Sequence, residues 1–165
     1  MIGIQLLLAG VFAFAGAAKL FDLRGSRRAM ADFGVPERAA PLAGLLLPLA
    51  ELATAAALVL NPSARWGAVA ALTLLLAFSA GIANAMLRGR APDCNCFGQV
   101  HSAPAGPWTL ARNAVFAMLA AILVWHGPGP AIDAWVADRT AAELVAIGAT
   151  VAALALAAFS FRVWS

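Results

Sequence analysis

Between Ile2 and Phe21 the only charged residue is Lys19, and the rest of the run is apolar apart from Gln5. A helix of roughly 20 residues spans the hydrocarbon core of a bilayer. Four further stretches of this kind come later in the chain, at Ala39–Leu60, Trp66–Leu87, Trp108–Trp125 and Ala141–Phe161. In lipid each backbone polar group must find its partner inside the protein, so runs of this length fold as helices. The expected architecture is an all-α membrane protein, a bundle of about five transmembrane helices forming a single integral domain over residues 1–165. Composition supports this: 63% of residues are apolar and 12% charged, about half the charged share of a soluble domain. The same figures exclude a disordered chain and a disulfide-rich secreted scaffold. A length of 165 residues leaves no room for a separate catalytic module beside the bundle.

The breaks between runs carry helix-stopping chemistry. Asn61-Pro62-Ser63 reads as a turn, Pro107 suits the first turn of the fourth span, and Thr140-Ala-Ala-Glu143 is a capping box for the fifth. Trp66, Trp108, Trp125 and Trp164 fall at span ends, where amphipathic rings sit at headgroup level. The segment from Arg24 to Glu37 reads as a short interfacial helix, with Met30 and Phe33 toward lipid and Arg27 and Arg28 toward headgroups. Residues 126–139, with Gly127, Pro128, Gly129 and Pro130, read as a loop. A cleaved signal peptide is not expected, because Lys19 and Arg24 come after the first apolar run instead of preceding it.

Alternation of the spans puts the 1–2 loop, the 3–4 loop and the C-terminus on one face. That face carries Lys19, Arg24, Arg27, Arg28, Arg38, Arg88, Arg90, Arg112 and Arg162, nine of the eleven cations; Arg65 and Arg139 lie on the other. Cytoplasmic loops are the cation-rich ones, so the count places the 3–4 loop on the cytoplasmic side, and the N-terminus on the outer side, of a bacterial-type inner (cell) membrane. The net charge of +3 answers to lipid headgroups. No basic stripe is interleaved with base-stacking aromatics, so nucleic acid is not an expected partner.

Both cysteines of the chain, Cys94 and Cys96, lie in the 88–107 loop, which is longer than a simple connection needs. Three readings compete. As a redox pair, one thiolate attacks a disulfide on a partner and the other resolves the mixed disulfide; a ring closed across one residue is strained and therefore easily reduced. Arg88 and Arg90 would lower a thiol pKa and Asp93 would oppose them. As a soft-metal site, Cys94 and Cys96 with His101 as third ligand suit Cu(I), although a four-ligand zinc site needs a second pair. The third reading is a constitutive loop staple.

Glu51 lies about 12 residues into the second span, roughly 18 Å deep at 1.5 Å per residue. A carboxyl there is costly unless protonated or paired, which marks a site or a packing contact between helices. Pro48, one turn earlier, frees the carbonyl of Gly44. Lys19 and Asp22 close the first span at i,i+3, a spacing that permits pairing. Asn84 and Arg88 close the third span on the same face, and Arg112 and Asn113 open the fourth. Snorkelling to headgroups explains Lys19, Arg88 and Arg112 singly; convergence from three helices at one level would make a polar pocket.

The run Ala-Lys-Leu-Phe-Asp at 18–22, Phe33-Gly-Val-Pro36, Pro48-Leu-Ala-Glu51, Cys94-x-Cys-Phe-Gly98 and Arg112-Asn113 resemble the MauE family of methylamine-utilisation membrane proteins, itself similar to the broader DoxX-like group. The resemblance covers Ile2 to about Trp125. It implies a four-helix DoxX-like core plus one span, and a role in maturing disulfide-containing proteins outside the cytoplasm beside a thioredoxin-like partner. Cys94 and Cys96 would be the working residues, cycling through a Cys94–Cys96 disulfide. A periplasmic partner asks for the cysteine loop outside, whereas the cation count asks for it inside. One pair near one face cannot carry electrons across the bilayer alone, and needs a quinone, a second protein or a large motion. A soft-metal transporter or metallochaperone, and a non-catalytic assembly factor, are the rival functions.

Overall fold

The computed structural model describes residues 1–60, 63–89, 106–129, 132–143, 145, 146 and 149. The elements are α1 (Ile2–Phe21), α2 (Leu23–Asp32), α3 (Ala40–Val59), α4 (Ala64–Leu87), α5 (Pro107–His126) and α6 (Ile132–Ala137). Among the described residues there is helix and no strand. Helices α1, α3, α4 and α5 are each long and apolar enough to cross a membrane, and the chain is a multi-pass membrane protein. Residues 1–129 form one compact unit and residues 130–165 another.

In the first unit α1 lies mainly against α3, α3 against α4, and α4 against α5. Leu8, Phe12, Leu58, Leu75 and Leu123 fill the centre, with Ala55, Ala68, Ala71 and Ala120 between them. Lipid tails are as apolar as leucine, so large side chains gain nothing by turning inward, and small residues let helix backbones approach. Leu42, Leu46, Leu76 and Met118 accordingly face outward, as do Trp66, Trp108 and Trp125 near helix ends. Gly16 is the tightest of these approaches between α1 and α3: a Cβ there would stand 2.9 Å from Leu52 Cγ and 2.9 Å from the Pro48 carbonyl oxygen. Gly67 plays the same part between α4 and α3, where a Cβ would meet the Leu58 nitrogen at 2.6 Å.

Helix α2 corrects one expectation. Met30 and Phe33 are half-buried and line a cavity with Phe78, Gly81 and Ile82 of α4 instead of facing lipid. The physical reason lies in α3. Pro48 has no N–H, so the Gly44 carbonyl lacks its helical partner; Ser26 of α2 donates its hydroxyl to that oxygen at 3.0 Å. Gly44 also admits the α2 backbone, since a Cβ there would meet Arg27 Cα at 3.0 Å. One missing hydrogen bond and one missing side chain in α3 thus seat α2, with Ser26 and Ala29 buried, and its apolar residues turn inward. Arg27 and Arg28 remain exposed.

At the opposite end of the bundle Gln5, 2% exposed, donates to the Leu58 carbonyl and accepts from the Gly129 N–H at 3.2 Å. Leu58 is in the last turn of α3, where carbonyls have no helical donor. Helix α5 stops at His126, and Gly127 takes the left-handed φ of +84° that favours glycine.

In the second unit α6 occupies part of the stretch expected as a loop, a short turn of helix between the Gly-Pro signals and Thr140. The capping box is formed: Glu143 N–H donates to Thr140 Oγ1 at 3.3 Å and Thr140 N–H donates to Glu143 Oε2 at 2.9 Å. The expected fifth span, Ala141–Phe161, lies for the most part outside the described residues.

Candidate functional site

The buried charge of the bundle is set by where α1 and α3 cross. Lys19 lies one turn beyond Gly16, on the face that meets α3. The close approach at Gly16 brings Lys19 Nζ to 2.7 Å from Glu51 Oε1 and 3.0 Å from Oε2. Lys19 is 5% exposed and Glu51 1%, so both charges are withdrawn from the protein surface and each neutralises the other. The ammonium also lies 5.7 Å from the centroid of the Phe78 ring, within the range of a cation–π attraction. Snorkelling therefore does not describe Lys19.

The expected Lys19–Asp22 partnership is replaced by two others. The chain turns out of helix at Asp22, with φ −125°, and its Oδ1 accepts from the Gly25 N–H at 3.0 Å. The carboxylate serves as the N-cap of α2 while the ammonium turns to Glu51. A capping carboxylate satisfies a backbone donor that otherwise has no helical partner.

Lys19 and Glu51 form one wall of a half-enclosed cavity of about 40 Å³. Arg112 and Asn113 of α5 line it as well, with Phe12 of α1, Leu75 and Phe78 of α4, and Phe116 of α5. Asn113 is buried and Arg112 half-buried. Four sequence-selected residues therefore meet in one place, from three helices. At about 10–15 Å³ per water position, the cavity has room for roughly three or four waters. Lys19, Glu51 and Arg112 bring two positive charges and one negative to it. An ammonium, a carboxylate and a guanidinium around water-sized space are groups that can bind a small anion or hand on a proton.

The other selected residues fall elsewhere. Asn84 and Arg88 are exposed near the end of α4 and do not line this cavity, and Asp22 is engaged at the α2 cap. Cys94, Cys96 and His101, the residues of both the redox and the metal readings, lie outside the described residues, as does Arg90. Among the described residues no three His, Cys, Asp or Glu side chains gather as a metal site would require. Among the described residues, the buried polar ones that sequence reasoning passed over are Ser26, Thr54 and, in the first apolar span, Gln5. The signal of Gln5 was available: an uncharged amide in the first turns of an otherwise apolar span has to find partners inside the protein.

Comparison with known proteins decides the family. Residues 1–126 match the family model described as methylamine utilisation protein MauE. The chain belongs to the MauE family. The methylamine utilization protein MauE of Paracoccus denitrificans is 37% identical over 119 residues, covering 71% of this chain and 64% of the relative. The chain thus matches less than two thirds of that relative's length. No solved structure matches. The MauE match ends at the last residue of α5, so it takes in the four candidate spans, the cavity and both cysteines, and leaves α6 and the C-terminal residues outside.

Proposed function

We propose that this MauE-family protein exchanges thiols and disulfides through Cys94 and Cys96 with a thioredoxin-like partner in the inner membrane of a bacterial-type cell, and so supports the maturation of disulfide-containing proteins used in methylamine utilisation. The observation that carries the reading is the placement of the chain's two cysteines, separated by one residue in the segment that joins α4 to α5 of a MauE-family bundle. In the exchange a thiolate of the pair attacks a partner disulfide and forms a mixed disulfide, releasing a partner thiolate. The second cysteine then attacks the mixed bond, forms Cys94–Cys96 and frees the partner as a dithiol. Two electrons pass from this chain to the partner; run in reverse, the same steps oxidise a client. The Lys19–Glu51–Arg112–Asn113 cavity is the proton-handling part of this reading, because each dithiol oxidised sheds two protons.

Alkylation with a membrane-impermeant reagent, before and after reduction, tests the pair in intact cells. The expected result is labelling only after reduction, which marks a resting disulfide; labelling only after permeabilisation would put the loop on the cytoplasmic face that the cation count favours. Cys94→Ser and Cys96→Ser are each expected to abolish client maturation, one of them trapping a mixed disulfide with the partner. Normal maturation in both single variants removes the proposal.

A further inference from the structure

A second cavity, of about 260 Å³, lies under α2 and shares Lys19 and Phe78 with the first. Its lining is otherwise apolar except for Ser26, and includes Met30, Phe33, Gly81 and Ile82. The volume is near the lower end of small-molecule sites, roughly 300–1,000 Å³, and the character is theirs too: mostly apolar, with a few placed polar groups. Ala77, also in the lining, is exposed on α4.

We propose that this cavity binds the ring of a membrane-soluble quinone. Phe33 and Phe78 supply aromatic faces for a flat ring. Lys19, more than nine-tenths buried at the shared wall, is held by both Glu51 oxygens and puts a positive charge beside an apolar site, which suits the electron-rich carbonyl of a quinone and which an acyl chain does not use. Ser26 already donates its proton to the Gly44 carbonyl, so its oxygen is left as an acceptor, the complement of a quinol hydroxyl. The neighbouring cavity is lined by Lys19, Glu51 and Arg112, and in this proposal it carries protons to the ring.

Binding stands on the cavity; the electron source rests on the thiol reading proposed above. The dithiol of Cys94 and Cys96 gives up two electrons and two protons to become a disulfide, and the quinone takes two electrons and two protons to become a quinol.

The test uses the full chain in phosphatidylcholine nanodiscs with an azidoquinone photolabel and decylubiquinone as competitor. Saturable labelling is expected on α2 and α4 around Phe33 and Gly81, displaced by decylubiquinone. Gly81→Leu should weaken binding about tenfold or more, because a Cβ at Gly81 meets only Phe33 at 3.8 Å and the longer side chain then fills the space. Gly81→Ala should bind nearly as the parent does. Labelling spread over lipid-facing surfaces, displacement by palmitate as effective as by decylubiquinone, or undiminished binding by Gly81→Leu would each overturn the site. Should Gly81→Leu fail to fold, the labelled positions in the unsubstituted protein decide alone. Quinone binding in a protein that still matures clients without Cys94 and Cys96 would sink the thiol reading and spare the site; cysteine-dependent maturation without quinone binding would do the reverse.

Discussion

Replacing Lys19 by methionine removes the ammonium while keeping an unbranched side chain of similar length, and leaves the Glu51 carboxyl at its buried position with no cation at 2.7 Å. The two side chains are 6% and 2% exposed, so the value of about 0–1 kcal/mol found for surface ion pairs does not apply. Breaking a buried pair by removing one partner costs about 3–5 kcal/mol, and this is the loss expected for Lys19→Met. Glu51→Leu should lose a similar amount, because it strands the ammonium. The double variant Lys19→Met/Glu51→Leu removes both charges together, and replacing a buried pair by apolar groups is often neutral; its stability should return to within about 1 kcal/mol of the parent. SDS-titrated unfolding in mixed micelles, followed by circular dichroism, measures all three. The decisive quantity is the coupling between the two sites. If each single variant loses less than about 1 kcal/mol, or the double variant loses the sum of the two, then the pair does not hold α1 to α3 and the reasoning fails.

Gly16→Leu should be damaging, because Gly16 is buried, its Cβ meets the Pro48 carbonyl oxygen at 2.9 Å and overpacking costs about 1–3 kcal/mol; the same unfolding assay reads it. Ser26→Ala should cost about 1–3 kcal/mol by leaving the Gly44 carbonyl without its donor, and limited proteolysis should cut first in α2. Arg112→Ala should impair client maturation while immunoblots show normal protein in the membrane; normal maturation would exclude the Lys19–Glu51–Arg112 cavity from the mechanism.

The four described spans could be read from the chain because their signal is local and repeated: a membrane crossing needs length and apolarity, and each run supplies both. The orphaned Gly44 carbonyl was equally legible, since proline at position 48 removes a particular donor whatever surrounds it. Depth could also be counted: it sets Lys19, Asp22, Asn84, Arg88, Arg112 and Asn113 at one level, with Glu51 nearer mid-membrane. Contact could not. Lys19 has Asp22 one turn away, and nothing local reveals that a glycine at 16 lets α3 bring Glu51, 32 residues distant, into better reach. Met30 and Phe33 went astray for a related reason. An amphipathic segment between spans looks the same whether its apolar side meets lipid or meets another helix, and only the small residue at Gly44 and the hydroxyl at Ser26 decide between them.

The Ser26–Gly44 contact also makes two distant positions one inherited unit. An ordinary residue at position 48 would return an amide proton to the Gly44 carbonyl and leave the serine without a task, whereas a lineage keeping Pro48 has reason to keep a hydroxyl at 26. Drift at these two sites should therefore be correlated: Pro48→Ala first would render Ser26→Ala harmless, and the opposite order would pass through a weakened intermediate.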